Sequence, residues 1–181
     1  MRDMKLWAVF FLVILVPQVD MAGVMGSSAS GFLIQNEAGV RGVPDSVYHA
    51  LVMHIANWWD PEHTYSGDSG NLSLDAKPGG CFCEALPEKG GVRHLEVVFV
   101  SPGKTLRLTG ALGPLQGSGL AGSMTWSLQA NGDSTTVTMT YSVGGYYQGD
   151  LLQMAPVVDS VLGSQLRRLK AFVETVKPET Q

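Results

Sequence analysis

The chain has 181 residues, a formal charge of −4 and 45% hydrophobic residues. That length and apolar content suit one domain with a sizeable core. The acidic balance excludes a nucleic-acid-binding face, which needs clustered cations to replace counterions along the phosphates.

Residues 1–5, MRDMK, carry charge, and residues 6–16, LWAVFFLVILV, are unbroken apolar. Pro17 ends the run, and the small-residue stretch GVMGSSAS comes soon after. Charged, apolar and small residues in that order are the pattern of a secretory signal. The apolar run is shorter than the roughly 20 residues a helix needs to cross a bilayer. The expectation is a signal peptide over 1–29, cleaved after Gly26 or Ala29, then a domain over 30–177 and a tail over 178–181. The mature protein is expected to be exported, periplasmic or secreted, with no stable membrane span.

A first strand is predicted over 31–41. Val43-Pro44-Asp45-Ser46 then signals a helix start, since proline and an acid suit the first turn. Val47, Tyr48, Leu51, Val52 and Ile55 recur at helical spacing. The helix should fade near Asn57, because Asp60 precedes Pro61 and a residue before proline avoids the helical region. The segment NWWDPEHTYSGDS, 57–69, concentrates large polar aromatics at this break.

Short alternating runs follow. Strands are predicted over 71–76, 81–86, 92–100, 105–112, 120–129 and 135–143, separated by Gly- and Pro-rich turns. The Asn131-Gly132 pair is a strong hairpin signal. Leu106, Leu108 and Leu112 share one face, as do Leu120, Met124, Trp126 and Leu128, and then Val137, Met139, Tyr141 and Val143. Alternation of this kind marks an antiparallel sheet with one buried face. From Asp150 to the C-terminus the alternation stops. Leu151, Met154, Val158, Leu162, Leu166 and Leu169 form part of a helical stripe in a long helix over 150–176.

The fold class is therefore α+β: a curved antiparallel sheet of about seven strands wrapped around a long C-terminal helix, with short helices after the first strand. A sheet with one apolar face needs a cover, and the terminal helix is the element large enough to supply it. A sheet gripping a helix leaves room for a ligand between them.

The element order, the paired tryptophans after the first helices, PGGCFCE, the run VFVSPGKTLRLTGALGP and the terminal helix together resemble the SRPBCC superfamily, also called START-like or Bet v 1-like, whose members have the helix-grip fold. The nearest resemblance is to bacterial polyketide cyclase/dehydrase and activator-of-Hsp90-ATPase homologues, where a PGG turn and a P-x-x-x-L-x-L strand pair recur. The resemblance implies a cavity for an apolar or amphipathic small molecule. It also leaves open a cyclase- or dehydratase-type enzyme and a protein-binding, co-chaperone-like module.

Candidate residues follow from the polar and aromatic groups. His63, His94 and Glu84 are the candidates for acid–base chemistry. His94 shares a strand face with Glu96, whereas Leu95, Val97 and Phe99 form the more apolar face, so the inward direction of His94 and of Glu84 stays open. Trp58, Trp59, His63, Tyr65, Leu112, Trp126, Tyr141 and Tyr146 are the candidates for ligand contact. Adjacent tryptophans cannot face the same way, so one can enter the core while the other lines a mouth.

Neither a cofactor nor a metal is expected. GSGLAG, 117–122, matches a dinucleotide fingerprint by letter, but that motif must open a helix, and here a strand pattern follows. Cys81 and Cys83 lack the spacing of a usual zinc pair. On an extended strand their α-carbons stand about 6.5–7 Å apart, at or beyond the limit for a bridge. Free thiols facing the core are the expected state, with a strained disulfide or a metal site as alternatives.

Overall fold

A computed structural model describes residues 21–175; the apolar stretch 6–16 and the tail 178–181 lie outside the described residues. One antiparallel sheet of eight strands dominates, in the order β1-β2-β8-β7-β6-β5-β4-β3. The strands are β1 (Met21–Ser28), β2 (Gly31–Arg41), β3 (Leu72–Leu74), β4 (Cys81–Ala85), β5 (Gly91–Ser101), β6 (Thr105–Thr109), β7 (Gly119–Asn131) and β8 (Ser134–Tyr146). Strands β3 to β8 form a meander, and β2 returns to pair with β8. The helices are α1 (Pro44–Met53), α2 (Ile55–Trp58) and the long α3 (Leu151–Thr175). This is the expected helix-grip α+β fold.

The alternating patterns place their apolar members inward. Val137, Met139, Tyr141 and Val143 of β8 are all buried, as are Met124, Trp126 and Leu128 of β7. The helix α3 turns Leu151, Ala155, Leu162, Leu166 and Leu169 towards this layer. Pro156 lies inside α3, close enough to its start that the missing N–H interrupts only one early bond. Stretch 117–122 runs into β7 rather than a helix.

Three features differ from the expectation. First, β1 adds a strand upstream of residue 31, pairing from Met21↔Glu37 to Ser28↔Gly31. The expected cleavage points after Gly26 and Ala29 fall inside this strand and just beyond it.

Second, β5 carries two bulges, and they reverse its alternation. Phe82 pairs with Leu95 but Cys83 with Arg93, which leaves His94 as the extra residue. A bulge puts two residues opposite one and re-aims the side chains beside it, so His94 and Leu95 both turn inward and both are buried. The next register shift falls between Val97 and Phe99. Beyond it Phe99 is 46% exposed, with the Arg107 guanidinium 5.6 Å from its ring centre. The expected apolar face of Leu95, Val97 and Phe99 therefore does not exist as one face.

Third, the cysteines are bonded. Cys81 and Cys83 form a disulfide with their α-carbons 5.4 Å apart. That separation is shorter than the extended-strand spacing of about 6.5–7 Å and lies within the range of a bridge, so the expected free thiols do not occur. Nor do the cysteines face the core: Phe82 and Glu84 are the buried members of β4, and the cysteines alternate with them on the other side.

Met139 sits at the centre of the inner layer, fully buried and paired with Asn36 and Trp126. Met139→Ala should lower unfolding free energy by about 2–5 kcal/mol, from lost transfer energy plus the cavity left behind. Urea unfolding followed by far-UV circular dichroism measures it; a loss below 1 kcal/mol would show that this layer is loosely packed.

Candidate functional site: a cavity closed by a buried glutamate and histidine

The segment after α2 turns sharply because its residues cap it. Asp60 accepts the Glu62 N–H through its carboxylate at 3.1 Å, and Pro61 starts a short 3-10 turn, Pro61–His63. Two side chains of α3 fasten this segment: Gln165 accepts the Asp60 N–H at 2.9 Å, and Arg168 donates to the Trp58 carbonyl at 2.9 Å. The chain then runs past the β4–β5 arm, which places Tyr65 and Ser66 over Glu84.

Glu84 is 2% exposed and His94 is 5% exposed. They meet at 2.9 Å between Glu84 Oε2 and His94 Nε2. The Tyr65 N–H donates to the same carboxylate at 3.0 Å, and the Ser66 N–H donates to its other oxygen. Burial on its own would raise the Glu84 pKa, but the hydrogen bonds from Ser66, Tyr65 and His94 outweigh it and hold the group below its ordinary value. Burial pushes the His94 pKa down, against the opposing pull of Glu84. At neutral pH the pair is therefore an ionised carboxylate and a neutral imidazole. A carboxylate only accepts, so Nε2 carries the proton and Nδ1 is the basic nitrogen.

His94 lies on the wall of a cavity of about 510 Å³ between α3, the β6–β7 connection and the segment after α2. On the α3 side the walls are Met154, Val157, Val158, Val161 and Leu162; opposite stand Leu112, Pro114 and Leu115. The segment from Trp59 to Tyr65 forms the rim, with Glu62, His63 and Thr64 between them. The size falls within the range of about 300–1,000 Å³ typical of small-molecule sites.

Aromatic contacts shape the inner end. The Trp59 indole donates to the His63 carbonyl at 3.1 Å, and its ring meets Phe82 at 5.0 Å between centroids. Phe82 lies 4.8 Å from the His94 ring, and the Tyr65 ring lies 5.9 Å from it. The Tyr65 hydroxyl donates to the Gly113 carbonyl at 3.1 Å, so this side chain bridges the rim to the far wall.

Of the expected ligand contacts, Trp59, His63, Tyr65 and Leu112 line the cavity. Trp58 is buried away from it, donating to the Ala50 carbonyl and meeting Trp126 edge-on at 6.1 Å. Trp126 belongs to the same packed layer. Tyr141 is buried behind the wall. Its hydroxyl donates to the Gly110 carbonyl at 3.1 Å and accepts the Leu112 N–H at 2.9 Å, which fixes the backbone of the cavity's far side. Burial raises its pKa to about 12. Gly122 makes that possible, because a β-carbon there would meet the Gly110 carbonyl and the Tyr141 ring. Tyr146 is 75% exposed at the end of β8. Among the acid–base candidates, His63 is exposed at the rim, while Glu84 and His94 are joined. The partner of His94 is Glu84 across the hairpin, not Glu96, which pairs with Arg93 at the surface at 2.7 Å. The register of the β4–β5 hairpin brings this about: it sets Glu84 opposite Val92, and His94 is two residues further along the same arm. Pro114, Leu115 and the wall residues of α3 carry no sequence mark that separates them from ordinary core.

No family model matches the sequence, and no curated protein does. Solved structures match in fold. Mll3558 from Rhizobium loti shares 23% identity at a TM-score of 0.60, over 80% of this chain and 99% of that one. CalU16 from Micromonospora echinospora shares 16% at 0.57, over 88% of each chain. The Aha1 dimer from Colwellia psychrerythraea shares 19% at 0.54, over 79% of this chain and 96% of that one. The chain thus shares its fold with these proteins. Identities this low establish the architecture, and function rests on the cavity itself.

The pair makes stability depend on pH with a definite sign. His94 has a folded pKa below the ordinary 6.5, so the unfolded chain binds a proton first, and stability falls as the pH drops below that value. Glu84 has a folded pKa below 4.5; its contribution is complete above 4.5 and disappears as the pH falls through the folded value. Urea unfolding from neutral pH downwards should show both losses. In His94→Gln the first should vanish, while an unchanged pH profile would mean that His94 is not held neutral.

Proposed function

We propose that this protein binds a hydrophobic or amphipathic small molecule in the cavity between α3, the β6–β7 connection and the segment after α2. The observation that carries the reading is the combination of mainly apolar walls with one buried, hydrogen-bonded polar pair at the inner end. The apolar body of the ligand would lie against Leu112, Leu115, Val158 and Leu162, and burial would contribute roughly 25 cal/mol per Å² before the costs of association. The pair would orient its polar end. Native mass spectrometry of protein purified from cells, with solvent extraction of the same sample, should reveal a retained apolar molecule. Val158→Trp, which fills the cavity from α3, should abolish binding of the neutral dye Nile red without loss of the folded spectrum. Undiminished dye binding by that variant would place the ligand elsewhere.

A second reading, a cyclase- or dehydratase-type enzyme, is favoured by the same pair. A neutral imidazole oriented by an ionised carboxylate is the arrangement of a general base. Such a base would take a proton from the carbon beside a bound ketone, form the enolate and return a proton from solvent. In deuterated water the protein should then speed deuterium uptake at that carbon of a long-chain methyl ketone. His94→Gln should slow the exchange by about 10²–10⁴-fold. Exchange no faster than in buffer, with the ketone bound, would leave binding as the function.

Export of the mature chain is also part of the proposal. It is supported by the order of charged, apolar and small residues before position 30, and by the disulfide Cys81–Cys83, since such bonds persist in oxidising compartments. Cleavage after Ala29 would remove β1 and leave a sheet of seven strands, edged by β2.

A further inference from the structure

The polar groups on the cavity wall differ in one respect: which of them still have a free valence. The Trp59 indole N–H is committed to the His63 carbonyl. The Thr64 hydroxyl donates to the Pro61 carbonyl at 2.7 Å, and the Tyr65 hydroxyl donates to the Gly113 carbonyl. The remaining inner donor, His94 Nε2–H, is held by Glu84. Each of these donors is turned into the protein. Apart from the His63 ring at the rim, what the lining side chains have left are acceptors: His94 Nδ1 at the inner end and the Glu62 carboxylate at the rim. The buried polar atoms without a partner among the described residues are Asn36 Oδ1, the Tyr48 hydroxyl and Gln165 Nε2; none of these residues lines the cavity. The lining residues include no lysine or arginine. The His63 ring, exposed at the rim, is the one lining side chain with an uncommitted donor.

From this we infer the ligand class: an apolar molecule whose buried end is a neutral hydrogen-bond donor, an alcohol, phenol or enol hydroxyl, placed on His94 Nδ1. A carboxylate in the same position would face the lone pair of Nδ1, with the ionised Glu84 directly behind the ring and no cation to offset either. An ester or ketone end would leave Nδ1 desolvated and unpaired. Leaving a buried acceptor without its partner should weaken binding by about tenfold, which corresponds to about 1.4 kcal/mol. The inference rests on the cavity reading above and narrows it.

The test is displacement of Nile red from the purified protein at neutral pH by three probes with the same chain: dodecanol, methyl dodecanoate and dodecanoate. Dodecanol should bind at least about tenfold more tightly than either of the others. In His94→Phe, which keeps an aromatic ring but offers no acceptor, dodecanol and the ester should become equal. Should that variant fail to fold, His94→Gln serves in its place: its amide can donate to Glu84 while its carbonyl accepts, so a residual preference for dodecanol is expected. Two failures can be told apart. Equal affinity for the three probes, or a preference for dodecanoate, overturns the donor inference and leaves the cavity as a binding site. Binding of neither Nile red nor any probe overturns both.

Discussion

A carboxylate removed from water survives only where donors replace its hydration, and Glu84 imposes that requirement on its surroundings. Two of its donors are backbone N–H groups, at Tyr65 and Ser66, so the segment after α2 must be held against β4. The third is His94, so β5 must bulge to bring an imidazole inward. Meeting these needs draws together three neighbouring parts of the chain, the segment at Tyr65 and Ser66 and the two arms of the β4–β5 hairpin. The cavity is the space enclosed when they meet α3.

The rim is fastened twice, and on opposite sides. Towards α3, Gln165 and Arg168 hold the backbone at Asp60 and Trp58. Towards the β6–β7 connection, the Tyr65 hydroxyl holds Gly113. Tyr141 then fixes Gly110 and Leu112 from behind. The walls contributed by irregular backbone are thus tied to regular elements, which preorganises a site that would otherwise be built on loops. The entropy of ordering these segments is lost on folding, before any ligand arrives.

Much of this was legible from residue order. Thr136, Thr138 and Thr140 alternate with Val137, Met139 and Tyr141, and such a pattern has one solution in a half-buried strand. The helical stripe from Leu151 to Leu169 and the break at Asp60-Pro61 were equally direct. The division of labour between Trp58 and Trp59, one in the core and one at the cavity, follows from their adjacency. His94 resisted the same reasoning. Simple alternation groups it with Glu96 and opposes it to Leu95, and only the extra residue in β5 lets His94 and Leu95 share a direction. The disulfide stands in the sequence only as an alternative to free thiols, because an extended strand holds residues two apart farther from each other than the 5.4 Å found between Cys81 and Cys83.

The sequence by itself determined the layer architecture, because apolar periodicity of two and of three to four residues dictates which faces must be buried and turn residues dictate where strands end. It also determined the inventory of polar groups available to a site. Tertiary structure alone decided which of them meet. Pairing across β4 and β5 selected Glu84 as the partner of His94, and the packing of α3 decided which aliphatic side chains face a cavity and which face the core. Those choices depend on distances between segments that have no local signature, since a leucine on a cavity wall and a leucine in the core obey the same periodicity.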